Sequence, residues 1–416
     1  MSSTNKRPLP PNGKHIPKRP GQWFAIMGAS APGVGLTADD ASRSARAERG
    51  REPAQVAYLP PTESIESALP PEFAAQRDLL PDELDGKVWL VGGAIRDALL
   101  RRPIHDLDFA VDGDALALAR RAADTFGGAY YTLDAAREIG RVLIDSPEGR
   151  VVLDYARMRG ADIVEDLLER DFTINAMGVA LPAGSTLLDP AGARDDLQKR
   201  MLRATTPHAI ARDPLRGVRA VRFAAELGFV IERETRASIR AAAPQLAAVS
   251  PERVRDEFMR CLEGPKPAAA LRALQLLGLL STVTPEWDAL PGAERETTLA
   301  LVERLAAVVS VLGARHDIEA ASEFALGLVA GRVGRYRVQI SRRLHEELSV
   351  GRTRRGVFFL GAQLHDAGDA AARAAALRLS TAEGRWLAAL VGNWAAAAAL
   401  VRRGVFLWYL VLGVSG

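Results

Sequence analysis

Two aspartates, Asp106 and Asp108, alternate with apolar residues in the run DLDFAV and are the clearest candidates for metal chemistry in this sequence. Side chains two positions apart on a β-strand point to the same face, so both carboxylates should project together while Leu107 and Phe109 point into the core. Mg²⁺ binds one or two protein carboxylates and leaves its other positions to water and substrate phosphates. The run therefore predicts a magnesium site on a strand.

A diglycine, Gly92 and Gly93, lies upstream between the apolar run 88–91 and a short amphipathic segment at 94–101. This order predicts a strand, a tight turn and a helix ahead of the aspartate strand. Because glycine has no Cβ, Gly93 lets a phosphate approach the backbone N–H groups at the helix start, and Arg96 is placed to bind it. A tight turn and a strand with one solvated face explain each feature taken singly. Their combination favours a nucleoside triphosphate site.

Strand and helix patterns alternate from residue 87 to about 204, which predicts an α+β domain with one mixed sheet. A helix is expected over residues 114–126, followed by strands at 129–133, 141–145 and 151–155. Asp154 lies within the last strand and is a candidate third carboxylate, which would complete the metal set or help deprotonate an attacking hydroxyl. The spacing fits a structural or surface aspartate equally well.

From residue 205 onward the strand signals fade and the chain becomes rich in Ala, Leu and Arg, which predicts helices. The clearest are expected at residues 213–227, 235–243, 251–262 and 268–277. Ser250 and Pro251 form a typical helix start, with serine at the N-cap and proline at the first position. Further helices are expected to residue 416.

Composition sets outer limits on function. The 416 residues are 48% apolar and 25% charged, with a net charge of +3, so binding to nucleic acid has to be argued from local patches. The single cysteine, Cys261, excludes an internal disulfide and a cysteine-based zinc site, which fits a cytoplasmic protein. No signal peptide is recognisable, and the apolar run 405–414 is too short to span a bilayer, so no membrane association is expected.

Residues 1–84 are rich in Pro, Gly, Ser, Ala and Arg without a sustained period, so we expect a disordered N-terminal extension. The segment GASAPGVGLT at 28–37 resembles a phosphate-binding loop only superficially. Leu36 stands where such a loop requires lysine.

Several further motifs follow the diglycine and the aspartates: ERDFTINAM at 169–177, DPAGARDDL at 189–197, RDPLRGVRAVRF at 212–223 and SPERVRDEF at 250–258. In this order they resemble the class II tRNA nucleotidyltransferase and bacterial poly(A) polymerase family, over about residues 87–263. The resemblance implies a polymerase-β-like nucleotidyltransferase head at 85–204, an all-α neck at 205–265 and a helical body and tail at 266–416.

The resemblance also implies roles for individual residues. Gly92, Gly93 and Arg96 would hold the triphosphate, Asp106 and Asp108 would bind Mg²⁺, and Asp154 would lie nearby as a third catalytic carboxylate. Arg170 would contact the nucleotide, with Asp171 and Asn175 orienting the sugar or the backbone. Asp213 and Arg216 would read the base edge of CTP or ATP, and Arg219 and Arg222 would neutralise phosphates.

The arginines of the neck also stand out physically. Arg216, Arg219 and Arg222 are spaced three apart, so they form a stripe on one helix face and repel one another unless an anion joins them. A solvated basic face is the alternative. The family usually has glutamate where this chain has Arg212, so a repulsive i,i+4 contact with Arg216, on the order of 0.2–0.5 kcal/mol, is expected here.

A second, weaker similarity concerns residues 364–369, LHDAGD, which resemble part of the His-Asp phosphohydrolase domain appended in some family members. Asp369 replaces the usual lysine and no histidine follows His365. We expect a helical remnant without a metal site.

These features predict a template-independent enzyme that adds CMP and AMP to the 3′ end of tRNA by a two-metal mechanism, with tRNA, CTP and ATP as partners, Mg²⁺ as cofactor and no protein partner. A poly(A) polymerase or a CC-only or A-only enzyme is the nearest alternative, and the short stretch 134–150 favours partial addition. A non-catalytic RNA-binding protein and a small-molecule nucleotidyltransferase are weaker alternatives.

Overall fold

The computed structural model describes residues 22–26, 33–35, 55–59, 87–104, 106–146, 149–181, 187–311, 336–365 and 369–394. The chain divides into two compact units, residues 1–199 and 200–416. This division falls close to the predicted end of the head. The segments predicted as neck and as body lie together in the second unit.

Three short strands lie in the segment that the sequence predicts to be disordered: β1 (Gln22–Ile26), β2 (Gly33–Gly35) and β3 (Gln55–Leu59). They form an antiparallel sheet in the order β2-β1-β3. The structure differs from the prediction here because QWFAI and QVAYL carry local β-propensity that the composition of the whole segment hides. The rest of residues 1–86 lies outside the described residues.

The first unit is built on a seven-stranded mixed sheet in the order β10-β9-β4-β5-β8-β7-β6. Only β5 and β8 pair in parallel; the other neighbours are antiparallel. The predicted strands are confirmed with small shifts in their ends. The strands are β4 (Val88–Val91), β5 (Asp106–Val111), β6 (Ala129–Asp134), β7 (Ile139–Ser146), β8 (Gly149–Arg157), β9 (Gly178–Leu181) and β10 (Leu187–Leu188).

Four α-helices accompany this sheet in the described part of the first unit: α1 (Gly93–Leu99), α2 (Ala115–Phe126), α3 (Ile163–Leu168) and α4 (Ala193–Gln198). Asp114 caps α2 by accepting a hydrogen bond from the Ala117 N–H at 2.8 Å. The helix packs closely on β7, since a Cβ at Gly140 would lie 2.7 Å from the Ala119 Cβ. A glycine is therefore required at that crossing.

About half of residues 134–150, the short stretch that the sequence analysis connects with partial addition, forms β7. The connection between β7 and β8 is only two residues long, because Ser146 pairs with Gly149. The stretch is therefore mostly strand, with a connection of two residues between β7 and β8.

The second unit is mainly helical, as predicted. Its described strands are two short pairs: β11 (Met201–Leu202) with β12 (Val230–Ile231), and β13 (Glu347–Ser349) with β14 (Arg352–Thr353). Its described α-helices are α5 (Ala209–Arg212), α6 (Leu215–Leu227), α7 (Arg233–Ala242), α8 (Pro251–Glu263), α9 (Pro267–Leu276), α10 (Leu280–Val283), α11 (Glu286–Ala289), α12 (Gly292–Val311), α13 (Arg337–His345), α14 (Arg354–Leu364), α15 (Ala370–Ala376) and α16 (Thr381–Gly392).

Helices α8 and α14 join the predicted neck and body. A Cβ at Gly356 on α14 would lie 2.9 Å from the Met259 Cε on α8, so the Met259 side chain packs directly on the backbone of α14. The Thr353 N–H, just before α14, donates a 2.6 Å hydrogen bond to Glu263 at the end of α8. The segments predicted as neck and as body are therefore in direct contact through these two helices.

Two helix starts differ from the prediction. Ser250 occupies the N-cap position of α8, but its side chain makes no capping hydrogen bond. The helix predicted from residue 213 begins at Leu215, because Pro214 favours an extended residue before it, and Asp213 has φ −144° and ψ 96°. Arg212 ends α5 on the other side of this break. Arg212 and Arg216 thus lie on two different helices, so the i,i+4 helical geometry assumed for their repulsion is absent.

Cys261 is buried in α8, and burial raises the pKa of its thiol to about 12. Within the described part of the chain, none of the helices combines the length and apolar character needed to cross a bilayer. The apolar run 405–414 lies outside the described residues.

Candidate active site

The three aspartates singled out in the sequence lie on neighbouring strands of the first unit. Asp106 and Asp108 are on β5, where Leu107 and Phe109 are buried, so the predicted alternation of faces is confirmed. Asp108 pairs in register with Asp154 on the parallel strand β8. Registered residues on adjacent strands share a face and lie about 5 Å apart. The structure therefore brings the three carboxylates onto one face of the sheet.

The electrostatics of this face centre on Asp108. Burial raises the pKa of its carboxyl group from 3.8 to about 6, the nearby Arg170 opposes this rise, and Asp154 and Asp106 add to it. A carboxylate held among other carboxylates in a desolvated position is stabilised by a cation. Among the described residues, no group of three His, Cys, Asp or Glu side chains is spaced to enclose a metal ion. Two carboxylates with open positions nevertheless suit Mg²⁺, so the residues fit the predicted ion.

Arg141 on β7 is a site residue that the sequence analysis missed. It donates hydrogen bonds from Nε and Nη2 to the two carboxylate oxygens of Asp154, at 2.8 and 2.7 Å. This bidentate contact fixes the orientation of the carboxylate. The sequence contains a signal for this contact, because only two residues separate Ser146 from Gly149. A hairpin with so short a connection has a register in which Arg141 pairs with Asp154.

Arg96 is on α1 and is 6% exposed. Its Nε and Nη2 donate hydrogen bonds to Asp97 at 3.1 and 2.7 Å, and its Nη1 donates one to the Asn175 Oδ1 at 2.7 Å. The Asn175 Nδ2 in turn donates to Asp171 at 3.0 Å, and Asp171 also accepts a hydrogen bond from the Phe172 N–H. Three predicted site residues thus form one buried network, in which Asp171 and Asn175 bind protein groups.

Gly92 lies between the carboxylates and Arg170. Its φ is +83°, and a Cβ there would lie 3.1 Å from the Arg170 Nη1 and 3.3 Å from the Asp108 Oδ2. Both the backbone conformation and the lack of space require glycine. The Arg170 Nη2 donates to the buried Asp166 at 3.1 Å, a second contact that the sequence analysis did not include. Gly93 begins α1, and a Cβ there would lie 3.4 Å from the Arg96 Nη2.

The remaining predicted residues belong to the second unit. Asp213 forms a 2.7 Å ion pair with Arg253 of α8. Arg216 donates a 3.3 Å hydrogen bond from Nη1 to the carbonyl oxygen of Ala209. Two residues proposed to read a base are therefore held by neighbouring elements of the same unit.

The anion that joins the arginine stripe is a protein carboxylate. Glu257 on α8, 6% exposed, accepts hydrogen bonds from the Arg219 Nη1 at 3.2 Å and the Arg222 Nε at 2.7 Å. Arg222 also pairs with Glu226 at 3.3 Å. Glu257 thus compensates part of the charge of Arg219 and Arg222, because α8 packs against α6. The expectation that these two arginines neutralise phosphates stays a prediction.

His365 and Asp369 have local partners. The His365 Nδ1 lies 2.8 Å from the carbonyl oxygen of Ala362, and its ring contacts Trp394. Asp369 caps α15 by accepting hydrogen bonds from the N–H groups of Ala371 and Ala372. Residues 366–368 between them lie outside the described part of the chain.

Comparison with known proteins gives two family matches. Residues 88–203 match the family described as the poly A polymerase head domain. Residues 228–290 match the family described as the probable RNA and SrmB-binding site of polymerase A.

Two curated relatives are similar over about half of the chain. A CC-adding tRNA nucleotidyltransferase of Geobacter sulfurreducens is 41% identical over 225 residues, which are 54% of this chain and 51% of the relative. An A-adding tRNA nucleotidyltransferase of Deinococcus radiodurans is 39% identical over 202 residues, 47% of this chain and 45% of the relative. The chain thus spans about half the length of the curated relatives it matches.

The fold is shared with solved structures. A Thermotoga maritima CCA-adding enzyme complexed with tRNA matches with a TM-score of 0.57 and 22% identity, covering 84% of this chain and 78% of that one. This similarity confirms the predicted α+β head with a helical remainder. Residues 88–203 are therefore a poly A polymerase head domain, and residues 228–290 match the RNA-binding segment described for the same polymerases.

Proposed function

We propose that this protein is a template-independent nucleotidyltransferase that adds CMP and AMP, from CTP and ATP, to the 3′ end of tRNA. The observation that carries the proposal is the registered pair Asp108 and Asp154 beside Gly92 and Arg170, in a domain of the nucleotidyltransferase family. The names of the similar proteins support a tRNA substrate.

The proposed division of roles follows from the geometry of the first unit. Asp106 and Asp108 would hold Mg²⁺, and the ion would stabilise charge on the attacking ribose oxygen and on the departing pyrophosphate. The guanidinium of Arg170 beside Gly92 would bind the triphosphate together with Arg96, Gly92 and Gly93. Asp171 and Asn175 would position Arg96, a role that the hydrogen bonds of the buried network support.

The transfer step exchanges a phosphoanhydride bond for a phosphoester bond. The 3′-oxygen of the terminal ribose bonds to the α-phosphorus while the bond from that phosphorus to the pyrophosphate oxygen breaks. The hydroxyl proton passes to Asp154, which Arg141 holds on the same face as Asp108. In the second unit, Asp213 and Arg216 select the base, and Arg219 and Arg222 contact phosphate with the charge that Glu257 leaves uncompensated.

The test is direct incorporation. Purified protein is incubated with Mg²⁺, a single labelled nucleotide and tRNA that lacks CCA or ends in C or CC. Sequential addition of two CMP and one AMP is expected. Asp108→Asn should abolish it, and Asp112→Asn, at the exposed position after β5, is the matched control. Absence of incorporation into any tRNA by the unaltered protein would refute the proposal.

Partial addition is the second candidate, because similar relatives are named CC-adding and A-adding enzymes. The same assay separates the possibilities. A CC-only enzyme stops before AMP, an A-only enzyme extends only tRNA that ends in CC, and a poly(A) polymerase adds long tails of AMP to any RNA. Incorporation that survives Asp108→Asn would point to a different catalytic site.

A further inference from the structure

The row of paired residues that contains the catalytic carboxylates continues to the edge of the sheet. Asp108 pairs with Asp154, Asp154 with Arg141, and Arg141 with Tyr131 on the edge strand β6. Registered partners project from the same face. Tyr131 therefore lies on the catalytic face, two strands and roughly 10 Å beyond Asp154 at the usual strand spacing.

Among the described aromatic residues of the first unit, Tyr131 is unusual because it is 51% exposed. Its neighbour Tyr130 points to the opposite face, where Arg120 of α2 lies over the ring with 5.1 Å to its centroid. An exposed aromatic side chain beside a cationic one is a typical platform for a nucleic-acid base. Arg141, adjacent to Tyr131, supplies that cation.

The direction of the proposed reaction decides which base would lie there. In the proposed function the triphosphate binds at Gly92, Arg96 and Arg170; Gly92 directly follows β4, so the triphosphate would lie on the β4 side of β5. Attacking and leaving oxygens lie roughly in line in phosphoryl transfer, so the ribose 3′-oxygen has to approach from the opposite side. That side is formed by β8, β7 and β6. The terminal nucleotide of the acceptor thus reaches the carboxylates across Arg141 and Tyr131.

We propose that Tyr131 binds the acceptor RNA by stacking on the base of its 3′-terminal nucleotide. This inference rests on the proposed function and adds an acceptor subsite in the first unit. Because every base has a flat face, such stacking tolerates both C and A at the acceptor end. This suits an enzyme whose acceptor end changes after each addition.

The test compares two adjacent tyrosines on opposite faces. Tyr131→Ala should raise KM for the acceptor tRNA roughly tenfold, with KM for the nucleotide unchanged, because loss of stacking weakens only the acceptor. Tyr131→Trp should retain the wild-type KM. Tyr130→Ala is the matched control and should leave KM for tRNA unchanged. Thermal unfolding of each variant verifies that it is folded.

An acceptor that lacks its 3′-terminal base makes the test specific to stacking. For the unaltered protein, KM for this abasic acceptor should be about tenfold higher than KM for the intact acceptor. For Tyr131→Ala, KM should be the same with both acceptors. The inference would be overturned if Tyr131→Ala left KM for tRNA unchanged. It would also be overturned if KM of Tyr131→Ala rose a further tenfold on the abasic acceptor. Failure of the unaltered protein to extend any RNA would instead refute the proposed function and this inference with it.

Discussion

Arg141 and Asp154 face each other across the β7–β8 hairpin, and the arginine occupies both carboxylate oxygens of the aspartate at 2.8 and 2.7 Å. The contact lies next to Asp108, whose pKa Arg141 also lowers. One basic side chain thus orients the third carboxylate and offsets part of the negative charge on the catalytic face. Its removal should have two separable effects.

Arg141→Met should lower kcat/KM by about ten- to a hundredfold at pH 7, because Asp154 loses its fixed orientation. It should also move the acid limb of the pH profile to higher pH, because the pKa of Asp108 rises when a nearby cation is removed. Arg141→Lys should keep the limb in place but not restore kcat, since lysine cannot form the bidentate contact. Measurement of kcat/KM from pH 5 to pH 9 separates the two effects. Arg150→Met, which removes an exposed pair on the same hairpin, is the control.

Asp108→Asn should abolish transfer but stabilise the fold at neutral pH. The pKa of this carboxyl group is raised in the folded state from 3.8 to about 6, so its ionisation opposes folding. This loss of folding free energy is absent below about pH 4. It is nearly complete above about pH 6, where it amounts to about 1–3 kcal/mol. Urea unfolding in EDTA should show the gain at pH 8 and little gain at pH 4.

The effect of Mg²⁺ on the free energy of unfolding tests whether Asp108 binds the ion. Because an ion that binds only the folded state stabilises it, Mg²⁺ should raise the unfolding free energy of the unaltered protein and not that of Asp108→Asn. Asp112→Asn should respond as the unaltered protein does. Equal effects of Mg²⁺ on the unaltered protein and on Asp108→Asn would contradict the assignment of Asp108 as a metal ligand.

Glu257→Ala should destabilise the second unit by about 3 kcal/mol or more, because Arg219 and Arg222 would lose a buried partner. The double variant Arg222→Met with Glu257→Leu should lose less than the sum of the single variants, since it leaves fewer unpaired buried charges. Thermal unfolding and urea titration measure both. Additive losses would show that Glu257 does not stabilise through Arg222.

Arg253→Met should change nucleotide choice more than rate. It releases Asp213 from its 2.7 Å ion pair, so the residue proposed to read the base edge becomes less restricted in its orientation. The ratio of CMP to AMP incorporation on tRNA that lacks CCA should shift several-fold toward misincorporation, corresponding to about 1 kcal/mol of discrimination. Arg272→Met, which removes an exposed pair with Glu296, is the control. An unchanged ratio of CMP to AMP incorporation would show that Asp213 does not take part in base selection.

The sequence by itself determined the elements and the face on which the first two aspartates lie. Alternation along DLDF has a period of two, which is a local property of a strand, and it correctly placed Leu107 and Phe109 in the core. The diglycine, the order of the motifs and the helical second half were also readable, because each depends on neighbouring residues. The composition of residues 1–84 does not indicate β1 to β3. The helix break before Pro214 differs from the continuous helix that the pattern of residues 213–227 predicts.

Only the tertiary structure decided the partners. That Asp154 lies beside Asp108 depends on the register of a parallel pair whose strands are separated by a helix and a hairpin. Glu257, 38 residues from Arg219 along the chain, compensates part of the charge of Arg219 and Arg222 because two helices pack side by side. Ion pairs of this kind are set by packing between distant segments, and a pattern of residue types carries no information about which charge will meet which.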